Sequence, residues 1–218
     1  MADIQSIMHG ISIWALPVLL AIVLHEVAHG WVAFKLGDDT AFWMGRLSLN
    51  PLKHIDPVGT IIIPLLLVVV SSPFLFGYAK PVPINWRKLR NPKRDMVWVA
   101  LAGPVTNILL AVVSTFLLWL VAMMPASWIW AAEPLALMLQ ASILINLVLC
   151  IFNLLPLPPL DGGRVAVGLL PNPYSRYLSA IEPYGFMVIV ALLLMGILQS
   201  VIGPLVMSGM QLLVDLAL

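Results

Sequence analysis

The chain has 218 residues, of which 61% are hydrophobic and 10% charged, with a formal net charge of +1. A soluble domain is about a quarter charged, and a chain this short has no interior large enough to hide so much apolar surface from water, so the bilayer is its solvent. The near-neutral charge says nothing about nucleic acid, but the lack of a basic stripe on a soluble face argues against it as a partner.

Residues 1–10, MADIQSIMHG, have neither a positive n-region nor a small-residue cleavage site, so the first apolar run is expected to stay in the working protein. Runs long enough to span a membrane, about 20 residues, lie at 11–36, 96–123, 135–155 and 180–200. A shorter run, 203–218, follows a break at Gly203-Pro204. Another, 58–73, is β-branched, marginally long and interrupted by Pro64. Cys150, the single cysteine, sits in an apolar run and reads as a small buried hydrophobe. There is no internal repeat or low-complexity tract, so residues 1–218 read as one domain.

All Lys and Arg residues fall in three segments, 35–53, 80–94 and 164–176, while 1–10, 124–134 and 199–204 have none. Cytoplasmic flanks carry the excess of Lys and Arg. The three basic segments share one side if 58–73 enters the membrane and returns. The expected fold is an all-α polytopic membrane protein with about five to six transmembrane helices, a re-entrant 58–73 and an outside N-terminus. The tryptophans of SWIWAAE, 127–133, fit an interfacial belt on the outer face. Segments 40–56 and 74–85 have strand and turn composition. They are expected to form a small membrane-associated β element or loops on the inner side, where irregular backbone is covered by protein or lines a wet cavity.

The first run carries VLHEVAHGW at 23–31. His25 and His29 are four apart, so on a helix they share a face, about 6 Å apart along the axis. Glu26 lies beside that point. This is the spacing of two zinc ligands with a glutamate as general base. A capping or packing cluster is the alternative, but ionisable groups inside a membrane are costly and usually functional, and here three share one turn.

A hydrolytic zinc site has three protein ligands and an open position. His54, in NPLKHIDPVGT, is one candidate for the third. Asp161, in NLLPLPPLDGGR at 153–164, is better placed: Pro156, Pro158 and Pro159 end the preceding helix, and Gly162-Gly163 let the chain bend at membrane depth. As an N-cap, Asp161 would start a short helix instead, a role compatible with ligation. Asp56, Glu133 and Glu182 precede prolines and read as loop or interfacial residues; His9 reads as interfacial. Asn153, just before the broken helix end, is a candidate donor to a developing oxyanion or a helix–helix hydrogen bond. Asn107 carries the same two options, and Ala102 and Gly103 suit close helix approach.

Together, His25-Glu26-x-x-His29, GRLSLNPLKHIDPVGT at 45–60, GYAKPVPIN at 77–85, AGPVTN at 102–107 and NLLPLPPLDGGR resemble the site-2 protease family of intramembrane zinc metalloproteases. The match covers nearly the whole chain and looks like the compact prokaryotic-type branch without PDZ or CBS domains. The resemblance implies that His25, His29 and Asp161 bind Zn2+ and that Glu26 activates water. It also implies that the active site opens toward the cytoplasm and that substrates are single-span membrane proteins. The plasma membrane of a prokaryote is the expected location. A non-proteolytic zinc-binding or zinc-transporting membrane protein is the alternative reading.

Overall fold

Lipid offers no partner to backbone N–H and C=O groups, so a long apolar run satisfies them internally by becoming a helix. The computed structural model describes residues 4–63, 65–66 and 79–217 and follows that rule. Its helices are α1 (Ile4–Lys35), α2 (Thr40–Trp43), α3 (Pro92–Ala122), α4 (Ile129–Asn153), α5 (Asp161–Leu169), α6 (Tyr174–Ala180), α7 (Glu182–Leu194) and α8 (Ile197–Asp215).

Among the described residues, α1, α3, α4 and α8 are each long and apolar enough to cross a membrane. Helices α6 and α7 meet at 66° and make a fifth crossing only if the bent pair is one broken span. Among the described residues there is no sixth crossing. The run 180–200 is cut short because Gly196 adopts φ 74°, the left-handed conformation open to glycine. That residue, and not Gly203-Pro204, is the break before the last helix. Gly203 and Pro204 lie inside α8, and a Cβ on Gly203 would meet nothing within 4 Å. Of 58–73, residues Pro57–Ile62 form a π-helical turn capped by Asp56, whose Oδ1 accepts from Val58 and Gly59 N–H. Whether the rest of that run re-enters or crosses lies outside the described residues.

Helices α1, α3 and α4 pack as a trio that is then closed by α8. Ala111, Leu118, Ile143, Leu147 and Val206 fill the space between α3, α4 and α8. Fully buried Ala21 and Ala33 on α1 are small enough for its neighbours to come close. Leu16, Leu20, Val112, Phe116 and Leu120 point outward, the apolar coat a lipid-facing bundle needs.

The expected β element is not supported: no strand occurs among the described residues. The chain itself explains why. Residues 79–85 form neither helix nor strand, and Pro81 and Pro83 have no N–H to contribute to a ladder. Three N–H groups of the segment go elsewhere: Lys80 to His54 O, Val82 to the Glu26 carboxylate and Asn85 to Asp38. Residues 40–56 form α2 and a 3-10 turn, Pro51–His54, capped by Asn50. The piece is thus a strap, fastened to the C-terminal half of α1 through Glu26. Arg46 grips it through the carbonyls of Lys80 (2.8 Å) and Pro81 (3.3 Å).

Candidate metal centre

Helix α1 presents His25 and His29 one turn apart, both about 7% exposed. Their rings stand edge to face, with centroids 4.6 Å apart and an 85° interplanar angle. Each ring is fixed through Nδ1. His29 Nδ1 lies 2.7 Å from the Val99 carbonyl of α3, an acceptor only, so this nitrogen carries the proton. His25 Nδ1 lies 2.6 Å from Asn107 Oδ1, also on α3. Both Nε2 atoms are thereby turned toward one point and lie 3.0 Å apart.

Asp161 arrives at the same point from the far side. Helix α4 ends at Asn153, and the proline-rich turn delivers Asp161 as the first residue of α5. Leu160 occupies the cap position, and no side chain caps the helix, so the N-cap role is not the one seen. The turn folds tightly because two glycines permit it. A Cβ on Gly162 would strike the Leu154 carbonyl, and one on Gly163 would strike the backbone of Pro158. Asp161 Oδ2 ends 3.3 Å from both imidazole Nε2 atoms.

With both rings neutral, two nitrogen lone pairs and a carboxylate oxygen face one another with no proton to share. Asp161 Oδ2 is buried and lacks a hydrogen-bond partner. Unpartnered buried carboxylate oxygens are costly, and a cation removes the cost. The spacing fits one: bonds of about 2.0–2.1 Å to a tetrahedral ion put ligand atoms about 3.3–3.4 Å apart. His25, His29 and Asp161 are the group among the described residues that could hold a metal ion.

The other sequence-predicted residues separate clearly. Glu26 stands outside the cluster, half-buried, with its Oε2 2.7 Å from the Val82 N–H that donates to it. His54 is buried elsewhere, its Nε2 2.8 Å from the Ser48 carbonyl, and is not a member of the cluster. Asn153 spends one amide hydrogen on Leu149 O of its own helix at 2.9 Å. Asn107 is a helix–helix contact: its amide nitrogen donates to Asn146 of α4, and its oxygen faces His25. Asn146 was not singled out from sequence, although an asparagine in the middle of an apolar run is itself a signal.

Gly103 was expected to allow close helix approach; it does more. A Cβ there would lie 2.5 Å from His25 Cε1 and closer still to His29 Nε2. The glycine is the floor of the pocket the imidazoles occupy. Gly103→Ala should gain up to about 1 kcal/mol of helix propensity, yet overpacking costs about 1–3 kcal/mol and displaces a ring. Elemental analysis of the purified variant should therefore find metal well below the wild-type stoichiometry, with helicity by circular dichroism unchanged.

Residues 120–197, which include the Asp161 turn, match the model of Peptidase family M50. YwhC of Bacillus subtilis, a protein named as a zinc metalloprotease, is 40% identical over 195 residues, 89% of this chain and 85% of YwhC. Rip2 of Mycolicibacterium smegmatis, named likewise, is 31% identical over 183 residues, 81% of this chain and 64% of Rip2. No solved structure matches. The apolar helices fit a multi-pass membrane protein. The chain belongs to peptidase family M50, the site-2 protease family of zinc metalloproteases.

Proposed function

We propose that the chain is an intramembrane zinc endopeptidase that cleaves single-span membrane proteins, with His25, His29 and Asp161 as the zinc ligands and Glu26 as the base. The supporting observation is the convergence of three metal-accepting atoms, within 3.0–3.3 Å of one another, on helices otherwise coated for lipid. Zinc held there supplies a Lewis acid for the scissile carbonyl and a more acidic bound water.

Glu26 takes the proton from the attacking water and passes it to the leaving amine. The Val82 N–H holds the carboxylate in place while leaving one oxygen for the proton. Asn153 has a second amide hydrogen beyond the one bound to Leu149, and that hydrogen is the proposed donor to the developing oxyanion. A transmembrane helix shields its peptide bonds, so the substrate unwinds locally first. The strap at 79–85 touches Glu26 through Val82, and an unwound segment laid beside it would come within reach of the base. The basic segments 35–53, 80–94 and 164–176 support, by the positive-inside rule, a site that faces the cytoplasm in the cell membrane of a prokaryote.

The test uses purified protein reconstituted in liposomes with a panel of single-span substrates. Cleavage should disappear with a zinc chelator and return when zinc is restored. A zinc-loaded protein that cuts soluble peptides but none of the membrane panel would overturn the substrate class.

A further inference from the structure

His29 and His25 are oriented by different means. His29 rests on a backbone carbonyl, which no side-chain replacement removes. His25 rests on a carboxamide, and a carboxamide can present either end. Something must decide that Asn107 offers its oxygen. Asn107 is fully buried, and so is Asn146.

The decision is made on α4. The Ser142 carbonyl only accepts, so Asn146 turns its Nδ2 toward it at 2.9 Å. Asn146 then shows Oδ1 to α3, and Asn107 Nδ2 donates to it at 2.8 Å. That leaves Asn107 Oδ1 for His25, at 2.6 Å, and obliges His25 to carry its proton on Nδ1. The unprotonated Nε2 then faces Asp161 and His29. The Ala21 carbonyl reinforces the same orientation by accepting from Asn107 Nδ2 at 3.4 Å. Each link has one direction, so a backbone carbonyl on α4 fixes the tautomer of a group on α1 through two asparagines on two helices.

We infer that Asn146 and Asn107 form a directional hydrogen-bond relay that holds His25 in its metal-binding tautomer, making Asn146 a positioning residue for a metal it never touches. The inference rests on the proposed ligand set. Groups that orient a ligand imidazole set metal affinity by about 10–100-fold when removed. The Ser142 hydroxyl, which could serve either amide orientation, lies farther from Asn146 Nδ2, at 3.3 Å, than the carbonyl does.

Zinc affinity of purified wild type and variants, read by competition with a chromophoric chelator, tests it without any peptidase assay. Asn107→Leu should weaken zinc binding about 10–100-fold. Asn146→Leu, two hydrogen bonds from the metal, should weaken it measurably in the same direction. Asn146→Asp should restore it: a buried, protonated aspartic acid donates to the Ser142 carbonyl and still accepts from Asn107. Ser142→Ala keeps that carbonyl and should bind zinc as wild type does. Equal losses in Asn146→Leu and Asn146→Asp would mean that Asn146 serves packing only, and wild-type affinity in Asn107→Leu would remove the relay altogether. Asp161→Ala is run alongside: if it retains zinc, the ligand set has failed; if it loses zinc while the asparagine variants keep it, the relay alone has failed.

Discussion

Glu26→Gln should lower peptidase activity by about 10²–10⁴-fold, the usual contribution of a positioned acid–base group, while zinc stays bound. The substitution isolates chemistry from structure. Glu26 accepts one hydrogen bond from the Val82 N–H at 2.7 Å, and a glutamine carbonyl oxygen accepts it equally well. The strap therefore stays fastened to α1. What is lost is the ability to take a proton. Nor does Glu26 belong to the group of converging ligand atoms, so the metal keeps its donors. Glu26→Ala is the useful contrast, because it frees the Val82 N–H as well and should loosen residues 79–85. The pair of measurements is cleavage of a membrane substrate and zinc content of the same preparation. Full cleavage by the glutamine variant would return the protein to the competing reading, a membrane protein that binds or moves zinc without proteolysis. The structure already weighs against transport. Beyond His25, the polar groups between α3 and α4 are Asn107, Asn146, the hydroxyl pair Ser114–Ser142 and Thr115, all neutral and hydrogen-bonded. A zinc ion leaving the centre by that way would meet no anionic ligand among them.

The candidate metal cluster was legible in the sequence because lipid makes polar residues expensive. A His-Glu-x-x-His turn inside an apolar run, and an aspartate at a proline-broken helix end, are exceptions that a membrane tolerates only for a reason. The structure brings those same three side chains together. Helix number was less legible. Hydropathy sees composition and not backbone angle, so it extended one run to residue 200 across Gly196, whose positive φ ends α7. It likewise took Gly203-Pro204 as a break, although a proline in an exposed stretch of α8 needs only to forgo one hydrogen bond. The β element failed for a related reason. Composition at 74–85 is strand-like, but pairing needs donors, and Pro81 and Pro83 lack them. The roles of Gly103 and Asn146 depend on which helix faces which, and residue type alone does not carry that.

Asp161→Ala should lower zinc affinity on the order of 10²-fold or more. A structural zinc site with four ligands gathers about 10–16 kcal/mol, so one ligand accounts for roughly 3 kcal/mol, and each 1.4 kcal/mol is tenfold. The effect on the metal-free protein should run the other way. Without an ion, Asp161 Oδ2 is a buried carboxylate oxygen with no hydrogen-bond partner, and no side-chain cap of α5 depends on it. Removing it relieves an uncompensated group, so the metal-free variant should unfold at the same temperature as metal-free wild type or above it. Zinc should then separate the two proteins. An ion that binds only the folded state stabilises it by RT ln(1 + [L]/Kd). At a zinc concentration 1,000 times the wild-type Kd that term is about 4 kcal/mol for wild type. A Kd weaker by 10² reduces it to about 1.4 kcal/mol by the same relation. Thermal unfolding in detergent, with and without zinc, measures both quantities in one experiment. A residue that merely supported the turn would destabilise the metal-free protein and leave the zinc-induced increment intact. A ligand leaves the metal-free protein sound and loses the increment, and the second pattern is the one expected of Asp161.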